Sequence, residues 1–137
     1  MLPSMLLPMF AMVALTFFVM IFSLGVRIHA VKTHQMKVGH FRVLELAKAP
    51  PLVAKTTRHL ANMFEFPIIF YVACLTSTML HLESQVLTGL GWAYVGFRMI
   101  HALIHITTNA VMHRMTAFLL SNATLIAIWV MIAVHLV

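Results

Sequence analysis

The chain has 137 residues, of which 62% are hydrophobic and 9% charged, with a net charge of +6. Soluble domains carry about 25% charged residues, so a composition this poor in charge excludes an ordinary soluble globular chain. The positive charge does not point to nucleic acid, because it is clustered in one connecting segment and no nucleic-acid motif accompanies it.

The first apolar run, "MLLPMFAMVALTFFVMIFSLGV" (residues 5–26), contains no charged residue. It is longer than a signal-peptide core and lacks basic residues ahead of it, so it reads as a retained membrane-spanning helix over about 5–27. Pro3 and Pro8 fall in its first turns, where a missing backbone donor costs least. Arg27 closes it. Residues 28–58 form the one long connection. Counted with Arg27, which flanks it, it holds seven of the nine Lys and Arg residues: Arg27, Lys32, Lys37, Arg42, Lys48, Lys55 and Arg58. Such clustering marks the cytoplasmic side and suits anionic lipid headgroups. Gly39 and Pro50-Pro51 read as breaks, the prolines as a stop to any preceding helix. Phe41, Leu44 and Lys48 stand at helical spacing and suggest a short interfacial helix.

Further apolar runs follow at about 59–80, 86–110 and 115–137, each near the roughly 20 residues needed to cross a bilayer. Their connections are short, so neighbouring helices should be antiparallel. The expected fold is all-α, one four-helix integral membrane domain over 1–137. Both termini should lie on the side opposite the basic loop: periplasmic, if the membrane is a bacterial inner membrane. Cys74 is the only cysteine, which excludes an intrachain disulfide and leaves it a packing role.

Within these spans the polar residues carry the information, because ionisable groups in lipid are costly and pair with one another. Arg58, Asn62 and Glu65 fall at i, i+4 and i+7, on one face of a continuous helix. Arg98, His101 and His105 fall at i, i+3 and i+7 on the next. Arg114 precedes the last span. Glu65 is one of only three acidic residues, and a lone carboxylate in hydrocarbon demands a partner. Arg98 is the expected one, within the chain or across a subunit interface. The remaining excess of arginines suits an anionic ligand.

"RHLANMFEFPIIFYVACL" (58–75) together with "RMIHALIHITTNAVMHRM" (98–115) resembles the family of membrane-associated proteins in eicosanoid and glutathione metabolism (MAPEG), and looks closest to a small bacterial branch of it. The resemblance covers nearly the whole chain. It implies a homotrimer with glutathione between neighbouring subunits, open to the cytoplasm, and a lipophilic electrophile reaching it from the membrane. Carried over by position, it implies that Arg58, Asn62, Glu65, Arg98 and His101 bind or shape the glutathione site. Arg114 would stabilise the thiolate, with Arg27 a second candidate. The chain departs from the family pattern in having Ala61 where many catalytic members have arginine and His105 where they have tyrosine. Met115 replaces the hydroxyl residue of the prostaglandin synthase type, and Pro67 lies closer to Glu65 than in the mammalian members. His105 would then take the tyrosine's hydrogen-bonding place.

The implied function is a glutathione-dependent transferase or peroxidase. The alternative is a non-catalytic membrane subunit of the same architecture that binds lipid or a partner. His101 and His105 at i, i+4 could share a metal ion, but no Asp, Glu or Cys lies nearby in sequence and no metal is expected. His29, His34, His40, His59, His81, His113 and His135 read as interfacial. The many methionines and phenylalanines read as packing and lipid-facing residues.

Overall fold

A computed structural model describes residues 5–42, 48–82 and 84–136. The described chain is helical throughout: α1 (Leu6–Lys32), a 3-10 turn (Val38–Phe41), α2 (Pro51–Asn62), α3 (Phe66–Met79), α4 (Gln85–Ile106) and α5 (Val111–Leu136). Three stretches are long and apolar enough to cross a membrane: α1, the pair α2–α3 taken together (Pro51–Met79), and α5. At 22 residues α4 would span about 33 Å at 1.5 Å per residue, enough for the hydrocarbon core. It carries Arg98, His101 and His105 and turns all three inward, where they are buried.

The four long helical stretches pack as a bundle. α5 lies along α4, α1 packs on α2, α3 and α4, and α3 also contacts α5. Phe70 of α3 stacks on Tyr94 of α4 with ring centroids 4.2 Å apart, among Met12, Val19, Leu125 and Ile128. Gly91 sets the approach of α1 to α4. A Cβ there would meet Met5 Sδ at 3.1 Å and the Pro8 ring at 3.2 Å, so a larger side chain would push the helices apart. The outward faces are as apolar as the core, with Phe17, Phe18 and Ile21 on α1 and Leu119, Ile126 and Val130 on α5 all exposed. A helix apolar all round belongs in lipid, where close packing rather than expulsion from water holds the bundle together.

Two features differ from the sequence reading. The second helix begins at Pro51, eight residues before the expected start at 59. Pro51 occupies the first helical position, where its fixed φ and absent N–H are tolerated, so the proline pair also opens a helix; residues 43–47 ahead of it lie outside the described residues. The same hydrophobic stretch is also broken at Met63–Glu65. Pro67, in the first turn of α3, has no N–H to offer the Met63 carbonyl, and its ring would collide with that carbonyl in a continuous helix. Beneath the basic loop, Ala30, Met36 and Val53 form a small cluster with Val26 and Phe41 that ties the loop to α1 and α2. Of the expected interfacial helix, Phe41 ends the 3-10 turn and Leu44 lies outside the described residues.

Candidate functional site

The break between α2 and α3 opens a pocket of about 360 Å3 at the end of the bundle that bears the basic loop. It is lined by Arg58 and Asn62 of α2, Glu65 in the broken turn, His101 of α4, and Val111, Arg114, Met115 and Phe118 of α5. Small-molecule sites fall in the range of about 300–1,000 Å3. Five of the residues singled out from the sequence therefore share one cavity: Arg58, Asn62, Glu65, His101 and Arg114.

Arg114 is set by its own loop. Asn109 adopts a left-handed backbone (φ 52°), which asparagine tolerates better than most residues. Its Oδ1 accepts a hydrogen bond from Arg114 Nη1 at 2.6 Å. The guanidinium is thus held in the first turn of α5. Its position near the N-terminus of a helix adds to the positive potential of the pocket.

His101 is held at both ring nitrogens. Nδ1 lies 3.0 Å from the carbonyl of Arg114 and Nε2 lies 3.1 Å from the side-chain nitrogen of Asn62. A carbonyl only accepts and an amide nitrogen only donates, so Nδ1 carries the proton and Nε2 is the lone-pair nitrogen. Asn62 Oδ1 is left buried without a partner.

Arg98 stands behind the pocket wall and does not line the cavity. It is fully buried, and its Nη2 donates to the backbone carbonyl of Asn62 at 2.9 Å. The guanidinium also lies 6.0 Å from the Phe118 ring centroid, a cation–π distance. Among the described residues Arg98 makes no direct contact with Glu65, which is exposed in the broken turn and acts on the guanidinium only through its charge at a distance; Arg98 Nε and Nη1 are without hydrogen-bond partners. Breaking a helix in lipid frees carbonyls that must find donors. Arg98 answers the Asn62 carbonyl, which would take the Phe66 N–H if the helix ran on.

Three buried histidines lie beside this wall. The ring centroids of His59 and His105 are 4.9 Å apart, those of His59 and His101 5.7 Å, and those of His101 and His105 5.8 Å. His59 is not interfacial, because the early start of α2 places it in the third turn, fully buried. It is the member of the cluster that the sequence reading missed. The signal was its place three residues ahead of Asn62, which puts it beside the Asn62 face. His105 is buried against His59 and does not line the pocket. Among the described residues no group of three His, Cys, Asp or Glu side chains is arranged to hold a metal ion.

Arg27 lies outside the pocket. Its Nη2 donates to Thr57 Oγ1 at 3.1 Å and its guanidinium sits 6.0 Å from the Phe41 ring centroid.

A second, apolar groove of about 460 Å3 runs between α3 and α5, lined by Phe66, Ile69, Leu125, Ile126 and Trp129 among others. Phe66, which lines it, meets Phe118 of the polar pocket edge-on with centroids 5.2 Å apart, so one aromatic pair separates the two spaces. The polar pocket offers two guanidinium groups and one carboxylate. That set matches an anionic or zwitterionic ligand that carries both carboxylates and N–H donors.

Comparison with known proteins agrees with the architecture. The model of the MAPEG family matches residues 5–134, nearly the whole chain. No curated protein and no solved structure matches it. The chain belongs to the MAPEG family and is an integral membrane protein of that family.

Proposed function

We propose that this MAPEG-family chain is a glutathione-dependent transferase or peroxidase acting on a lipophilic electrophile, with glutathione held between the subunits of a homotrimer. The observation that carries this reading is the gathering of Arg58, Asn62, Glu65, His101 and Arg114 around one cavity at the basic end of the bundle. Glutathione presents two carboxylates, an ammonium, amide N–H groups and a thiol. Arg58 would take a carboxylate through a charge-assisted bond and Glu65 the ammonium. Arg114, fixed by Asn109, would face the sulfur. A thiol is nucleophilic only as thiolate, and a fixed adjacent cation favours that form.

Arg98 and His105 act from behind the wall in this scheme, Arg98 by holding the Asn62 backbone. Arg27 is absent from its own chain's pocket, so it would serve only in the pocket of a neighbouring subunit. The apolar groove beyond Phe66 and Phe118 would take the electrophile or a membrane lipid. Clustering of basic residues on residues 27–58 supports a cytoplasmic loop with both termini periplasmic in a bacterial inner membrane.

The test is thiol consumption by detergent-purified protein supplied with glutathione and an electrophilic aryl halide or a lipid hydroperoxide. Turnover lost in Arg114→Ala supports the enzyme. Co-purification of a defined lipid or protein partner with no turnover toward either substrate favours the non-catalytic membrane subunit.

A further inference from the structure

The proton of the bound thiol has to go somewhere, and the pocket holds two groups that could accept it. One is Glu65, exposed in the broken turn. The other is His101, 3% exposed and held at both ring nitrogens. We propose that His101 is the catalytic proton acceptor of this pocket, taking the S–H proton of the bound thiol on Nε2 while Arg114 receives the thiolate. This rests on the thiol-binding reading above and adds to it the residue that activates the thiol.

Three features of the geometry support the assignment. First, the Arg114 carbonyl, 3.0 Å from Nδ1, fixes the proton there and leaves Nε2 as the basic nitrogen. That bond survives in both states, because the imidazolium is also a donor at Nδ1. Second, the group now resting on Nε2 is the side-chain nitrogen of Asn62, itself part of the pocket lining. Its other atom, Oδ1, is buried with no partner, so the amide is half satisfied as it stands. Rotating the amide by a half turn would bring Oδ1 to Nε2, an arrangement that is favourable only when Nε2 carries a proton. For the thiol to reach Nε2 this amide must swing aside. After the half turn Oδ1 can accept from the imidazolium that the reaction would create, while Nδ2 takes the place Oδ1 leaves.

Third, the charge balance of the site is kept. His101 is faced by Arg98 on its own helix, by Arg114 of α5, by Arg58 and His59 of α2, and by His105, with Glu65 as the sole carboxylate lining the pocket. A proton drawn from solvent onto His101 would add positive charge to a buried cationic site, which is costly. A proton taken from the bound thiol adds none. The S–H bond breaks, its electron pair stays on sulfur as thiolate beside Arg114, and the proton forms the Nε2–H bond. After the thiolate attacks, an alkoxide set free from a hydroperoxide takes that proton back, whereas a halide departs as the anion and the proton passes to solvent; either way His101 returns to its neutral form.

The test is calorimetric titration of the full-length protein with glutathione near neutral pH, in buffers of different ionisation enthalpy, alongside the ultraviolet absorbance of the thiolate. Wild-type protein should show thiolate absorbance on binding, with close to no proton released to the buffer. His101→Gln should either bind glutathione without thiolate absorbance or release about one proton for each thiolate formed. Four results would overturn the proposal: release of about one proton by the wild type, binding without thiolate absorbance in the wild type, a His101→Gln variant identical to wild type in both readings, or a change of proton count in Glu65→Gln instead. The wild-type proton count decides the matter even if His101→Gln does not fold. Absence of any glutathione binding would overturn the thiol reading itself, and this proposal with it.

Discussion

The Arg98 guanidinium and Pro67 should be energetically coupled, although neither is an obvious partner of the other in sequence. Pro67 breaks the helix, and Arg98 Nη2 donates at 2.9 Å to the Asn62 carbonyl at that break. A hydrogen bond from a charged donor contributes a net of about 1.5–3 kcal/mol. Arg98→Met removes this donor from a carbonyl that lipid cannot solvate. In the Pro67→Ala background residue 67 regains its N–H, the turn at 63–65 is free to close, and the Phe66 N–H reaches the Asn62 carbonyl in place of Arg98. Replacing Arg98 should therefore cost less there, by about 1–2 kcal/mol, than in the native chain. The total effect of Arg98→Met mixes this loss with relief of a buried charge, so only the coupling isolates the contact. A double-mutant cycle measures it, using reversible unfolding in mixed micelles of increasing SDS content followed by Trp92 and Trp129 fluorescence. Additivity of the two substitutions within about 0.5 kcal/mol would refute the assignment of Arg98 to the broken turn.

Arg114→Ala should lower thiol turnover by about a hundredfold, as for loss of one donor to a developing anion. Asn109→Ala, which frees the Arg114 guanidinium without removing it, should have a smaller effect of the same sign in the same assay. Glu65→Gln should change unfolding stability by less than about 0.5 kcal/mol because the carboxylate is exposed. It should still weaken glutathione binding measured by calorimetry. Gly91→Leu should lower the unfolding free energy by about 1–3 kcal/mol, since Met5 and Pro8 already lie at contact distance. A thermal melt in detergent reads that shift.

The membrane class and the helical fold were legible because long uncharged runs have few alternatives. The site was legible in part for the expected reason. Arg58 and Asn62 do share a helical face, and His101 and Arg114 do join them at the basic end. Glu65 joins by a different route, since the helix that would have aligned it stops at Asn62. Hydropathy does not show where α2 begins, because half of its first turns, "PLVAKTTR", is polar. That misplacement made His59 look interfacial when it is buried among histidines. Pairing charges by sign suggested Glu65 for Arg98. The actual acceptor is the Asn62 backbone carbonyl, freed where the helix breaks, which carries no signature in side-chain charge. Arg27 looked like a site residue by position, yet within its own chain it is bound to Thr57.

The most direct test of the central claim is a titration of the purified protein with glutathione, followed by calorimetry. Saturable binding with a Kd below the order of 1 mM, weakened at least about tenfold by Arg58→Ala or Arg114→Ala, is the expected result. No detectable heat of binding at millimolar glutathione, or binding that is indifferent to both arginines, would contradict it.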